Sequence, residues 1–236
     1  MGRKLSAMNR APTCVGLLMT QHRLCDLVVF DLDGTLVDTA GLHVAASQAA
    51  ARAVFGQEVA LEVVTRSLGL PLQESMAVIS DGRGQVMELV AAFLAHYSAH
   101  EGEGAQCFPD AIPTLAALRA AGYPLALLSN KLRAWGTAEI ARLGLAPFFA
   151  QVVFTEDMPV PKPSPLAVEP LLRAFHVKAK RVLLIGDGVG DIQCAQAAGA
   201  LAGAALWGPH DPAPLLAARP HYAFHQMSEI LELLGR

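Results

Sequence analysis

A chain of 236 residues is long enough for one large domain, or for a core carrying a smaller inserted domain. With 53% hydrophobic and 17% charged residues it cannot be a disordered chain and reads as helix-rich and globular. A net charge of −3, with no Lys/Arg-rich run interleaved with aromatics, excludes a basic field for nucleic acid, and no apolar run approaches the roughly 20 residues of a membrane span.

Residues 1–24 read as an N-terminal extension, because "MGRKLSAMNRAPTCVGLLMTQHR" sets basic residues before "CVGLLM", an apolar stretch shorter than a secretory core needs. "LVVFD" (27–31) is the first strand. From about residue 40 to residue 106 no buried strand is legible, only Ala-rich helical stretches such as "HVAASQAAARAVFG" and "GQVMELVAAFLAHYSAH". Residues 41–106 are therefore expected to form an inserted helical cap, broken at Gly69-Leu70-Pro71 and returning to the core through the Gly-rich "EGEGAQCFPD". Residues 25–40 and 107–236 form the core. There "AIPTLAALRAAG" predicts a helix stopped at Gly122, and "TAEIARLGL" predicts another. The strands "PLALLS" (124–129), "QVVFT" (151–155), "RVLLIGD" (181–187) and "GAALW" (203–207) are too short for helices and rich in residues that suit strands buried on both faces. A final helix is expected over "MSEILELLGR". The alternation predicts an α/β fold: a Rossmann-like, mostly parallel sheet flanked by helices, with the helical cap inserted. The four cysteines, Cys14, Cys25, Cys107 and Cys194, show no C-x-x-C spacing, which argues against zinc and disulfides and fits a reducing cytoplasm.

Polar residues collect where these strands end, which is where open α/β sheets build their ligand crevices. They are "DLDGT" with Asp31 and Asp33, then Ser129 with Asn130 and Lys131, then Lys162 in "VPKPSP", and "GDGVGD" with Asp187 and Asp191. Asp31 and Asp33 stand two apart; if strand geometry persists through them they project to one face, and something positive belongs between them. Singly each signal has a plainer reading: a turn or cap serine, a solvated loop lysine, an aspartate capping a helix. Together, acids, a hydroxyl and a lysine on one sheet edge match what phosphoryl transfer requires: a nucleophile, a divalent metal, and donors around the phosphoryl oxygens. A dinucleotide fingerprint fits "GDGVGD" poorly, since Asp187 and Asp191 would oppose a pyrophosphate at that helix start.

With "DLDGTLVD", "LLSNK", "PKPSP" and "GDGVGD" in that order, the chain from Asp26 onward resembles the haloacid dehalogenase superfamily, and within it the capped small-molecule phosphatases of the phosphoglycolate phosphatase group. The resemblance implies that Asp31 is the nucleophile of an aspartyl-phosphate intermediate. It implies that Asp33 is the acid that protonates the leaving oxygen and then activates water, with neighbours that shift its pKa toward neutrality. It implies Mg²⁺ held by Asp31, the backbone carbonyl of Asp33 and Asp187, with Asp191 in support. Ser129 and Lys162 become catalytic phosphate ligands, joined in phosphate binding by Asn130, Gly34 and Thr35, the last two shaping the turn past the nucleophile. Asp38 is read as a helix cap or hinge residue.

The same resemblance admits a β-phosphoglucomutase-like hexose-phosphate mutase, since His43 stands where those enzymes carry a hinge histidine; the plainer reading is a helix-surface histidine. Leu72 in "LGLPLQES", where such mutases carry an arginine, and the acid Asp191 favour hydrolysis. The cap contacts to substrate are expected at His43, Arg66, Gly69 and Leu72, with closure excluding water. His96 and His100, at i and i+4, lack a third metal ligand and read as a solvated face, and Trp207 reads as core or rim packing. The expectation is a Mg²⁺-dependent phosphatase acting on a small phosphorylated metabolite, 2-phosphoglycolate-like or a sugar phosphate. Its partners include neither nucleic acid nor membrane, it is a monomer or homodimer, and the non-enzymatic alternative is a silent regulatory protein on the same fold.

Overall fold

The computed structural model describes residues 23–100, 104–208 and 211–235, so all but the last two residues of the expected N-terminal extension and part of the Gly-rich return lie outside the described residues. In chain order, β1 (Leu27–Phe30) and a short β2 (Val37–Asp38) lead into α1 (Ala40–Phe55), α2 (Leu61–Ser67), α3 (Leu72–Ser80) and α4 (Val86–Ala99). The chain returns through β3 (Gln106–Cys107) to α5 (Ala111–Ala120), β4 (Leu125–Leu128), α6 (Arg133–Arg142), β5 (Gln151–Val153) and α7 (Glu169–Phe175). It closes with β6 (Val182–Gly186), α8 (Val189–Ala198), β7 (Leu201–Ala205), α9 (Pro212–Ala217), β8 (Tyr222–Phe224) and α10 (Ser228–Leu234).

Six strands make one parallel sheet in the order β5-β4-β1-β6-β7-β8, with Val28 opposite both Leu125 and Leu183. The apolar runs form the middle of this sheet because both of its faces are covered. Val28, Phe30, Leu125, Leu127, Leu183 and Ile185 pack into a core on one side, with α5 and α10. The alternate residues Leu27, Val29, Ala126, Leu128 and Leu184 pack on the other, with α7 and α8. The period of two in the strand thus feeds two cores at once, as a doubly covered parallel sheet requires. Strand order reverses at β1: the chain steps outward to β4 and β5, then crosses to β6 on the other flank. The ends of β1, β4 and β6 therefore meet at a switch point, where an open sheet forms a crevice.

The helices α1 to α4 bury a third cluster of their own, including Ala46, Ala50, Val64, Met76, Ile79, Leu89 and Phe93. Small alanines on α1 let α4 approach it closely, which is why so Ala-rich a stretch still makes a core. The connections into and out of these helices are joined by an antiparallel ribbon pairing Val37 with Cys107 and Asp38 with Gln106. Neither that ribbon nor β8 is apparent from the sequence pattern. Two-residue strands show no period, and in β8 Tyr222 is only partly covered and Ala223 is exposed. Gly122 does end α5, with φ +79° and its N–H on the Arg119 carbonyl. Among the described residues no helix is long and apolar enough to cross a membrane.

Leu183 lies fully buried on the central strand β6. Leu183→Ala is expected to lower unfolding free energy by about 2–5 kcal/mol in urea titration. A loss below about 1 kcal/mol would show that the site collapses around the gap instead of keeping it.

Candidate active site

Asp31 follows directly on β1, and its N–H still bonds the Ile185 carbonyl at 2.9 Å, so the strand aims it at the crevice. Its carboxylate is buried; Oδ1 accepts the Leu32 N–H at 2.7 Å and pairs with Lys162 Nζ at 2.9 Å. Lys162 Nζ also donates to Asp191 Oδ1 at 2.6 Å and to the Leu128 carbonyl at 3.0 Å. The loop carrying Lys162 is fixed by a reciprocal pair: its N–H donates to Asn130 Oδ1, and Asn130 Nδ2 donates to its carbonyl, each at 3.0 Å. Asn130 thereby ties the end of β4 to the lysine while also facing the cavity.

Asp187 follows β6, and Asp191 stands in the first turn of α8, where its Oδ2 accepts the Gly188 N–H at 3.0 Å. One oxygen each of the buried Asp31, Asp187 and Asp191 lie within 4.8 Å of one another. The turn after Asp31 is built to let Asp187 in. Gly34 adopts φ +77°, and a Cβ there would sit 2.0 Å from Asp187 Oδ2. Thr35, expected to bind phosphate, is instead fully buried, and its hydroxyl donates to Asp187 Oδ1 at 2.8 Å; it positions that carboxylate. Trp207, expected as packing, also reaches this turn, donating Nε1–H to the Thr35 carbonyl at 2.8 Å.

Three carboxylates around one ammonium leave the cluster short of positive charge. Burial pushes the Asp31 pKa up to about 8, opposed by Lys162 and reinforced by Asp191 and Asp187. Burial works against the Lys162 ammonium, yet Asp191 and Asp31 outweigh it and hold its pKa above the ordinary lysine range. The donor set of buried carboxylate oxygens, with the room that glycine leaves at position 34, fits a hard divalent cation such as Mg²⁺.

Asp33 does not join this cluster. The strand ends at Phe30, so the expected common face is lost, and the Asp33 side chain turns toward a second lysine. Its Oδ1 accepts from Lys131 Nζ at 2.7 Å and from Thr39 Oγ1 at 2.8 Å. Lys131 Nζ in turn lies 2.8 Å from Glu139 Oε2 on α6 and donates to the Tyr97 hydroxyl of α4 at 2.9 Å. Burial alone raises the Asp33 pKa, but the Lys131 charge, followed by hydrogen bonds from Lys131 and Thr39, holds it below the ordinary carboxylate range. The expected shift toward neutrality is therefore reversed in this state.

Asp31, Asp33, Asp187, Ser129 and Asn130 line a cavity of about 100 Å³ with the α1–α4 helices above, room for a small leaving group. Ser129 is buried, and its Oγ accepts the Lys131 N–H at 3.2 Å. His43, read more simply as a surface residue, faces this cavity; its Nε2 lies 3.5 Å from the hydroxyls of Ser67 and Ser75, and its ring packs on Phe93 at 5.1 Å. Gly69 and Leu72, expected to contact substrate, line the cavity, whereas Arg66 is exposed and lines an adjoining cleft beside Asp191 that shares Leu68, Gly69, Leu70 and Asp187 with it. His96 and His100 stack on each other at 4.2 Å, away from the cavity. Asp38 accepts the Ala40 N–H at 3.2 Å at the start of α1, in keeping with a capping role. Sequence reasoning noted Lys131 only as a neighbour of Ser129 and missed Thr39, Tyr97, Trp135 and Glu139; the "SNK" run beside a strand end was the available signal.

Residues 28–205 match the family model described as haloacid dehalogenase-like hydrolase. The chain belongs to that family. It is 32% identical to the phosphoglycolate phosphatase of Vibrio parahaemolyticus, an alignment covering 92% of this chain and 99% of the relative. It is 28% identical to the pyrophosphatase PpaX of Bacillus velezensis over 92% of this chain and 99% of that one. A crystal structure of a predicted phosphoglycolate phosphatase from Haemophilus somnus superposes with a TM-score of 0.82, covering 90% of this chain and 99% of that chain at 23% identity, a likeness of fold. This haloacid dehalogenase-like hydrolase is an enzyme of the phosphatase kind, and its parallel sheet flanked by helices is the fold of its structural neighbours.

With its folded pKa raised from an ordinary 3.8 to about 8, Asp31 keeps a proton that the unfolded chain releases. Its contribution to stability is complete below the unfolded value and lost as pH rises through the folded one. Metal-free protein is therefore expected to lose at least about 1 kcal/mol between about pH 6 and about pH 9, measured relative to Asp31→Asn. Parallel pH curves for the two proteins would show that Asp31 is ionised throughout.

Proposed function

We propose that this hydrolase cleaves a small phosphomonoester through an aspartyl-phosphate on Asp31, and that it works in the cytoplasm, where its three described cysteine thiols suit a reducing setting. The observation that carries the reading is the meeting of Asp31 and Asp187, which line the cavity, with Asp191 and Lys162 beside them, while Asp33 is held apart on its own lysine. Asp31 attacks as the carboxylate, the form that a cation held at Asp31 and Asp187 would favour: its Oδ attacks phosphorus as the bond from phosphorus to the leaving oxygen breaks, and Asp33 hands that oxygen a proton. Water then attacks the phosphorus of the intermediate, Asp33 takes its proton, and inorganic phosphate leaves with Asp31 restored as a carboxylate.

Lys131 keeps Asp33 ionised in the resting enzyme, which suits the second step. The proton for the first enters with the substrate, since a phosphate ester with a second pKa near about 6 still carries one part of the time near neutrality. Ser129 and Lys162 stand beside Asp31 to meet the phosphoryl oxygens, and Asn130 keeps Lys162 in place. Asp31, the Asp33 backbone carbonyl and Asp187 would hold Mg²⁺, with Asp191 supporting the set; when bound it offsets the negative charge of the phosphoryl oxygens. The helices above the cavity exclude water and admit a small metabolite, and the names of the relatives put 2-phosphoglycolate and sugar phosphates first among esters to try. Arg66, outside the cavity, supplies no grip there on the second phosphate that a mutase must hold.

Asp31→Asn is expected to lower phosphate release from p-nitrophenyl phosphate by at least about 1,000-fold while leaving the circular dichroism spectrum unchanged. EDTA should suppress the wild-type rate and added Mg²⁺ restore it. An unaltered rate in the variant would remove Asp31 from the chemistry, and full activity in EDTA would remove the cation.

A further inference from the structure

The floor of the cavity is acidic, but its roof is not. Leu68 and Leu70 between α2 and α3, Leu72 at the start of α3, Phe93 of α4 and Trp135 of α6 form the apolar part of the cavity lining. All but Phe93 are only partly buried, so apolar surface stands ready to be covered. The aromatic part is rigid, because Tyr97 stacks between Phe93 at 5.6 Å and Trp135 at 4.5 Å.

Charge on this wall is already committed. Among the described residues Lys131 is the one lysine or arginine lining the cavity, and its side chain is 6% exposed. Its Nζ is held by Asp33 at 2.7 Å, Glu139 at 2.8 Å and the Tyr97 hydroxyl at 2.9 Å. Arg66, exposed, lines the adjoining cleft and not the cavity itself, and Lys162 lies between Asp31 and Asp191. An anionic leaving group would be stripped of water against leucines and an indole, with Asp33 close by and Lys131 engaged. An uncharged apolar one would cover that same surface favourably.

We infer that the substrate's leaving group is a small, uncharged, apolar primary alcohol of the arylmethyl kind. This deepens the phosphatase reading of the site and rests on it. The apolar wall selects such a group over a carboxylate-bearing one, and His43 lines the same cavity beside Phe93.

The test compares benzyl phosphate with 2-phosphoglycolate, both esters of primary alcohols, in the wild-type enzyme and in Leu72→Lys. The wild type is expected to show a kcat/KM at least about tenfold higher for benzyl phosphate, and Leu72→Lys to shrink that ratio by a similar factor. Equal or better use of 2-phosphoglycolate by the wild type overturns the inference and leaves the phosphatase reading standing. So does turnover of p-nitrophenyl phosphate alone, or a ratio indifferent to the lysine. Failure to release phosphate from any of the three esters overturns both.

Discussion

Lys162 carries the burden of this structure. Its ammonium touches three oxygens from three separate elements: Asp31 after β1, the carbonyl of Leu128 at the end of β4, and Asp191 on α8. A charge so buried is tolerable only with that full complement, and the acids in turn are tolerable only beside it. Such clusters seldom add net stability, so the two apolar cores on either face of the sheet must supply it. The parallel order around β1 makes the arrangement possible, since it sets the ends of β4 and β6 on either side of Asp31.

Two lysines divide the chemistry between two acids. Asp31 sits in a crowd of carboxylates with a share of one ammonium, and burial prevails, raising its pKa. Asp33, two residues on, has a lysine and a threonine hydroxyl bonded to it, and its pKa falls. Without a cation, that order is the opposite of what a carboxylate nucleophile and its acid–base partner require; a divalent ion held by Asp31, Asp187 and Asp191 would favour the Asp31 carboxylate and restore it. Lys131 adds a link of a different kind: Tyr97 belongs to the inserted helices and Glu139 to the core, so the residue holding Asp33 also bridges the two.

Much of this was legible because it is written in short, strongly constrained stretches. The runs around β1, β4 and β6 are apolar throughout because both faces are covered, and Asp31, Ser129 and Asp187 follow them at once. The α1–α4 helices announced themselves by the absence of strands. What failed were features that depend on distant partners. The direction of the Asp33 side chain depends on where β1 stops and on a lysine almost 100 residues away. Thr35 looked like a phosphate ligand because Asp187 is remote in sequence. His43 faces inward, and Arg66 outward, through helix orientations that no local pattern encodes. β8 and the β2–β3 ribbon are too short for a period to emerge.

The acidic floor and the apolar roof pose separate demands on a substrate, a phosphoryl group below and an uncharged body above, and the floor is the part on which the rest depends. The most direct test of it is rapid acid quench during turnover of p-nitrophenyl phosphate, followed by peptide mapping by mass spectrometry. The account predicts a hydroxylamine-labile phosphoryl group on the peptide containing Asp31 and on that residue alone. Phosphate bound covalently elsewhere, or full turnover with Asp31 never modified, would contradict it.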